Sequence, residues 1–199
     1  MMEILVRSKI DKVKELAVKA VNEKVDFGFT VKHFLKILEE ISPYYAFIYY
    51  LCKEFKPELM VEIGTCYGIG AIHMALGNPE GKVYTIDIDE RCFQYIRGFG
   101  LDIGNIECIE GCSYEVYDKF VDGSIDFLFI DGDHRYEYEK LDYERYYSKV
   151  KDGGLILIDD ISYDDVGKVW DEIQEVKLRV DDVRLIEGLG VVFKGEYEV

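Results

Sequence analysis

With 199 residues, 49% of them hydrophobic and 14% aromatic, the chain can bury a full core, and one α/β domain with a short extension accounts for its length. Forty acidic against 24 basic side chains give a formal net charge of −16, which repels phosphate backbones and sets nucleic acid aside as an expected partner. No apolar run approaches the roughly 20 residues of a membrane span, and Met1–Arg7 lacks a signal-peptide core, so no membrane partner and a cytoplasmic location are expected. The five cysteines (52, 66, 92, 108 and 112) are odd in number and lack Cys-x-x-Cys spacing, which predicts reduced, mostly buried thiols.

In chain order, residues 1–56 read as a helical extension and 57–199 as the main α/β unit. Ser8 with Asp11 forms a capping-box pattern ahead of an apolar face at Val13, Leu16, Ala17, Ala20 and Val21. Thr30 is placed to cap a second helix with Val31, Phe34, Leu38 and Ile41 inward, and His33 within it has no ligand partner nearby. Ser42-Pro43 predicts a third helix start, followed by Tyr44, Phe47, Ile48, Leu51 and Phe55 at helical spacing. The tyrosines at 44–50 read as core at this spacing, with an aromatic acceptor pocket as the functional alternative.

From Pro57 onward strands and helices alternate, as in a parallel sheet. Met60–Ile63 and Lys82–Asp87 are the first two strands, and a helix is predicted over Glu90–Ile96. Ile106–Ile109 leads into Gly111-Cys112-Ser113, Ile125–Ile130 into Asp131, and Leu155–Ile158 into Asp159-Asp160. The fourth and fifth strands are nearly all apolar, which suits central strands covered on both faces. Val183–Ile186 with Leu189–Phe193 reads as a closing antiparallel hairpin. The expected fold is a Rossmann-like, mostly parallel, doubly wound sheet of about seven strands behind the helical extension.

The organising stretch is Glu62-Ile63-Gly64-Thr65-Cys66-Tyr67-Gly68-Ile69-Gly70, a strand breaking at glycine into a helix that opens at Ala71, Met74 and Ala75. Such a turn brings backbone close to a ligand and offers helix N–H groups to it. Asp87, ending the next strand, carries a carboxylate able to accept from both hydroxyls of a ribose. Together they predict a nucleoside site. Short-chain dehydrogenases have a similar loop, and Tyr136-x-x-x-Lys140 matches their Tyr-x-x-x-Lys spacing. Glu62 before the turn, and Asp131-Gly132-Asp133-His134 where those enzymes have an Asn-rich turn, oppose that NAD(P) oxidoreductase reading. A nucleoside-binding protein without turnover is the non-enzymatic alternative.

These motifs resemble the class I S-adenosylmethionine-dependent methyltransferases over roughly residues 40–195. Nearest among them are the small O-methyltransferases of the catechol and caffeoyl-CoA type and of the macrocin sugar type. The resemblance implies that Glu62, Gly64, Thr65 and Gly68 order the loop around the cofactor's methionine moiety. It makes Asp87 the ribose-binding acid and places Cys112 and Ser113 at the adenine, Cys112 standing where an acidic or polar residue is common. It also places Asp131 beside the cofactor and makes it a catalytic candidate. Asp131, Asp159 and Asp160 match the positions that hold a divalent cation in those enzymes, and Asp160 follows the sugar type rather than the amide of the catechol type. Three carboxylates at one sheet edge repel one another unless protonated or bridged, and an all-oxygen set suits Mg²⁺, Mn²⁺ or Ca²⁺. The competing role is capping and cofactor contact. His134 is a candidate general base, with helix capping as the alternative, whereas His73 lies inside a helix and reads as structural. The implied activity is transfer of the methyl group of S-adenosylmethionine to a hydroxyl of a small-molecule acceptor. The sequence is also compatible with a homo-oligomer.

Overall fold

The computed structural model describes residues 2–23, 42–98, 103–181, 183 and 187–197. Helices α1 (Met2–Asn22) and α2 (Ser42–Phe55) precede β1 (Leu59–Ile63), α3 (Ile69–Gly77), β2 (Lys82–Asp87), α4 (Phe93–Gly98), β3 (Ile106–Glu110) and the single-turn α5 (Ser113–Val116). There follow β4 (Ile125–Ile130), α6 (Tyr136–Tyr147), β5 (Val150–Asp159), α7 (Asp164–Glu172), β6 (Glu175–Arg179) and β7 (Leu189–Tyr197). The strands form one sheet in the order β3-β2-β1-β4-β5-β7-β6, in which β7 runs antiparallel to both neighbours and the other pairings are parallel. This is the Rossmann-like sheet the alternating pattern predicts.

Alternation along the central strands divides the core in two. Phe127 and Phe129 of β4 join Leu155 and Leu157 of β5 in a cluster with α1, α2 and α3. Leu128, Ile130, Ile156 and Ile158 face the other way, onto Tyr146 of α6 and Trp170 of α7. Successive side chains of a strand point to opposite faces, so a continuous apolar run covered by helices on both sides is the expected result. The chain winds outward from β1 to β2 and β3, then returns to β4 on the other side of β1. That reversal opens a crevice at the carboxyl ends of β1 and β4.

Four expectations need correction. Helix α1 begins at Met2 and runs through Ser8, which with Asp11 lies on its exposed face, so the capping-box pattern marks no helix start. A polar residue followed by an acid three positions later also describes the solvent side of a continuing helix, and the pattern alone does not separate the two. Val21 is 46% exposed, unlike the buried Val13, Leu16, Ala17 and Ala20. The partner of β7 is Glu175–Arg179, whose alternating polar residues belong to an edge strand, while Val183 lies in a turn. Of the cysteines only Cys52 is buried, and Cys66 is exposed, although all five are free. The expected helix at Thr30–Ile41, His33 within it, and residues 184–186 lie outside the described residues. Tyr44 and Tyr50 are buried in the core, as their spacing predicts.

Gly64 is where the fold tolerates no side chain. Its φ is +90°, and a Cβ there would lie 1.9 Å from the Asp131 carbonyl oxygen. Gly64→Ala must therefore strain the backbone or push β1 from β4, at about 1–3 kcal/mol or more. For a chain of this size the thermal midpoint should fall by roughly 2–10 °C; an unchanged midpoint in calorimetry would show that the two strand ends are not held this closely.

Candidate active site

Beneath the glycine turn lies a chain of three fully buried polar side chains. Glu62 on β1 accepts the Thr85 hydroxyl at 2.5 Å, and the hydroxyls of Thr85 and Thr65 are 2.6 Å apart. Glu62 also takes the backbone N–H of Ala71 at the start of α3. Close approach is possible because residue 70 is glycine: a Cβ there would stand 2.1 Å from Glu62 Oε1. Burial pushes the Glu62 carboxyl up to about 8, opposed by the Thr85 hydrogen bond and reinforced by the nearby charges of Asp131 and Asp87.

Asp87 secures the same turn from the other side. Its Oδ2 accepts the backbone N–H groups of Thr65 and Cys66 at 3.1 Å each, and its Oδ1 accepts that of Asp89 at 2.9 Å. Cys66 is held in the left-handed region at φ 45°, which costs a non-glycine residue about 1–3 kcal/mol. A carboxylate has about four acceptor positions, and the Cys92 thiol also bonds to Asp87, so a ribose hydroxyl would share or displace one of these donors.

A cavity of about 610 Å³ opens over the crevice between β1 and β4. Six of the residues expected from sequence line it: Gly64, Asp87, Cys112, Ser113, Asp131 and His134. Glu62, Thr65, Gly68, Asp159 and Asp160 do not; the first two lie under its floor, Gly68 starts α3, and the last two are buried at the end of β5. Sequence reasoning missed Ile88 and Asp142, both of which line the cavity. Ile88 is 72% exposed, an apolar side chain turned toward the space beside Asp87. Asp142 is 2% exposed, and its Oδ1 accepts the Ser113 hydroxyl at 2.5 Å. Burial raises its carboxyl to about 6 despite that hydrogen bond. The signal for Asp142 was obscured because the inward face of α6 is Glu139, Asp142 and Tyr146, a polar stripe that hydropathy assigns to solvent.

On the β5 side, His134 stands between two acids. Its Nδ1 is 3.3 Å from Asp160 Oδ2, and its Nε2 is 3.7 Å from Asp131 Oδ1, an ion-pair rather than a hydrogen-bond separation. Asp131, followed by the charges of Asp160 and Asp159, holds the imidazolium above its ordinary range against partial burial. The Tyr163 ring lies 5.9 Å from the imidazole and is half exposed. Asp160 has φ 56°, so the chain leaves β5 through a strained residue here. The three expected cation ligands are not drawn together as they stand. Among the described residues no group of three or more His, Cys, Asp or Glu side chains is arranged to hold a metal ion. His134 stands between Asp131 and Asp160 at that edge.

Other sequence candidates fall away from the cavity. Lys140 does reach the Tyr136 hydroxyl at 2.9 Å, but both bind Glu172 of α7 and neither lines the cavity. The dehydrogenase-like spacing is thus a surface contact between two helices. His73 is buried, its Nδ1 2.7 Å from the Ile69 carbonyl oxygen, and burial lowers it to about 4. It stacks on Tyr45 and is structural, as expected.

A family model described as a methyltransferase domain matches residues 61–161, and the chain belongs to that family. The fold is that of the class I S-adenosylmethionine-dependent methyltransferases. An uncharacterised protein, R132 of Acanthamoeba polyphaga mimivirus, is 34% identical over 113 residues, which span 50% of each chain. A probable cobalt-precorrin-6B C(15)-methyltransferase (decarboxylating) of Sulfurisphaera tokodaii is 29% identical over 138 residues, covering 66% of this chain and 68% of that one. Among solved structures, a putative caffeoyl-CoA O-methyltransferase from Staphylococcus aureus has a TM-score of 0.60 at 20% identity, covering 98% of this chain and 99% of its own. The S-adenosylhomocysteine-bound Podospora anserina methyltransferase PaMTH1 has a TM-score of 0.66 at 11% identity, covering 95% of this chain and 96% of its own. Among the described residues no helix is long and apolar enough to cross a membrane.

Glu62 makes stability depend on pH in a definite direction. Its folded value, about 8, lies above the ordinary 4.5, so the folded state keeps a proton that the unfolded state releases. Its contribution is fully present below about pH 4.5, lost as pH rises toward 8, and constant beyond. The loss is on the order of a few kcal/mol. Denaturant unfolding from pH 5 to 8.5 should show this decline, and Glu62→Gln should flatten part of it; an unaltered slope in the variant would assign the titration elsewhere.

Proposed function

We propose that the protein transfers the methyl group of S-adenosylmethionine to a hydroxyl oxygen of a small-molecule acceptor. The observation that carries this reading is the placement of Gly64, Asp87, Ser113 and Asp131 around one cavity at the switch point of a methyltransferase-family sheet. Asp87 lies where a ribose would be held, Ile88 offers an apolar side for a base, and the turn at Gly64 leaves backbone open to the methionine moiety. The S-adenosylhomocysteine in the Podospora neighbour supports the same cofactor, and the Staphylococcus neighbour supports oxygen as the acceptor atom. The Sulfurisphaera relative makes carbon the competing acceptor, which analysis of the methylated product decides.

In the reaction the acceptor oxygen forms a bond to the methyl carbon as the carbon–sulfur bond breaks, leaving S-adenosylhomocysteine. The hydroxyl proton goes to His134, whose imidazole must be neutral beforehand. Asp131 and Asp160 flank that ring and stabilise it once protonated, as an orienting acid does for a histidine base. The half-exposed Tyr163 ring beside it offers the acceptor a surface. Most of the rate is assigned to alignment of donor and acceptor within the cavity. A small acceptor, with neither nucleic acid nor membrane as partner, fits the acidic balance of the chain.

Calorimetry should show S-adenosylmethionine or S-adenosylhomocysteine binding in preference to NADPH. Asp87→Ala should weaken it at least about tenfold, since it removes a charged acceptor worth roughly 1.5–3 kcal/mol per bond. Binding of NADPH alone would overturn the reading.

His134→Ala should lower kcat by about 10²–10⁴-fold while leaving cofactor affinity nearly unchanged. Turnover should survive EDTA. Loss of turnover that Mg²⁺, Mn²⁺ or Ca²⁺ restores would mean that Asp131, Asp159 and Asp160 rearrange around a cation, and Asp159→Ala should then abolish the metal effect.

A further inference from the structure

The turn that carries Asp160 is held from the far edge of the sheet. Asp160 has φ 56°, and a non-glycine residue stays in that region only where its surroundings determine it. The Tyr163 N–H closes the turn on the Asp160 carbonyl at 2.8 Å, and the N–H groups of Ile161 and Ser162 donate to the carbonyls of Gly188 and Glu187 at 3.3 and 2.8 Å. A side chain completes the hold: Arg179, the last residue of β6, donates from Nη2 to the Ser162 hydroxyl at 2.6 Å. Its Nε donates to both carboxylate oxygens of Asp181, at 2.9 and 3.0 Å, so the planar guanidinium is oriented at two points. Residue 188 is glycine with φ +73°, and a Cβ there would stand 2.8 Å from Ser162 Oγ and 2.9 Å from Arg179 Nη2. Lys177, two residues earlier on β6, donates to the Trp170 and Ile173 carbonyls, so β6 grips the end of α7 as well as the turn that leads into it.

That turn sets what His134 meets. Asp160 Oδ2 lies 3.3 Å from Nδ1 of the imidazole, and the Tyr163 ring is 5.9 Å away. The charges facing the ring are Asp131 and Asp133 from the loop after β4, and Asp159 and Asp160 from the end of β5. In a neutral imidazole the nearer acceptor keeps the proton, which places N–H at Nδ1 and the lone pair at Nε2. Arg179 itself does not line the cavity. We propose that Arg179 is a positioning residue for the methyl transfer: through Ser162 it keeps Asp160 against Nδ1, and so fixes the tautomer in which Nε2 can take the acceptor's proton. This rests on the reading of His134 as the base and adds the side chain that aims it. Without the tie Asp160 relaxes toward an ordinary backbone conformation and its carboxylate leaves Nδ1. The proton is then shared with Nε2, where Asp131 stands at 3.7 Å. A base that already carries the proton on its reacting nitrogen takes no other.

The test is NMR of the histidine ring nitrogens in the whole chain at alkaline pH, where the imidazoles are neutral. The His134 signals are those missing from His134→Ala, and His73, whose Nδ1 lies 2.7 Å from the Ile69 carbonyl oxygen, is the internal reference. In the wild type Nδ1 of His134 should resonate as a protonated nitrogen and Nε2 as a bare one. Arg179→Ala should draw the two signals toward each other by a large part of their separation and leave His73 unmoved. Ser162→Ala removes the other end of the tie and should do the same; it serves if Arg179→Ala loosens the sheet edge. Wild-type signals in both variants overturn this inference alone. A wild-type proton on Nε2 overturns it as well, and averaging at His73 together with His134 marks a loosened fold and does the same. Survival of kcat in His134→Ala overturns the base reading and this inference with it.

Discussion

Two strands and a helix meet the glycine turn through one set of buried hydrogen bonds, and the geometry of the cavity follows from it. Glu62 accepts from Thr85 on the neighbouring strand and from the first turn of α3, while Thr65 closes the chain from the turn itself. Asp87 holds the same turn by two backbone N–H groups. A buried, satisfied network rigidifies its surroundings because each member is costly to leave unpaired. The turn therefore has one position relative to β1, β2 and α3, and that position leaves its backbone facing the crevice. Apolar side chains at 62, 65 and 85 could fill the same volume, but they would not fix the direction of the loop.

The network carries a cost. Glu62 retains its proton near neutrality because no cation accompanies it into the core, and Cys66 adopts a backbone conformation that glycine would accept more readily. Asp160 on the opposite side of the cavity is strained in the same way. Two strained non-glycine residues and several carboxyls raised by burial gather around the carboxyl ends of β1, β2, β4 and β5. The apolar clusters on the two faces of the sheet provide the stability against which this is set. On the β5 side the half-buried His134 lies between Asp131 and Asp160, which stabilise its ring whenever it takes up a proton.

Much of this architecture was legible in the chain. The runs Ile125–Ile130 and Leu155–Ile158 declare central strands because only a strand covered on both faces is apolar at every position. Glu62, Gly64 and Asp87 declare the site because a glycine at a strand end and an acid at the next strand end answer a backbone constraint and a hydroxyl ligand. The edge was harder to read. Glu175–Arg179 alternates charged and apolar residues as an edge strand does, yet Val183–Ile186 is more apolar and took its place in the sequence reading. Ser8 and Asp11 imitated a helix start while lying on the exposed side of α1.

Composition and local pattern thus determined the sheet, its helical covering and the position of the nucleoside site, since each depends on periodicity or on a residue's own backbone requirements. Side-chain partnerships between distant elements were decided by the tertiary structure. Ser113 and Asp142 are 29 positions apart and meet because α6 packs against α5, the short helix that follows β3. Tyr136 and Lys140 keep the spacing of a dehydrogenase pair yet turn toward Glu172, because α7 lies on that side of α6. His134 lies three residues beyond Asp131, but only the departure of the chain from β5 at Asp160 brings the second acid to the imidazole. Such contacts have no period and no local signature; they exist once the layers are stacked.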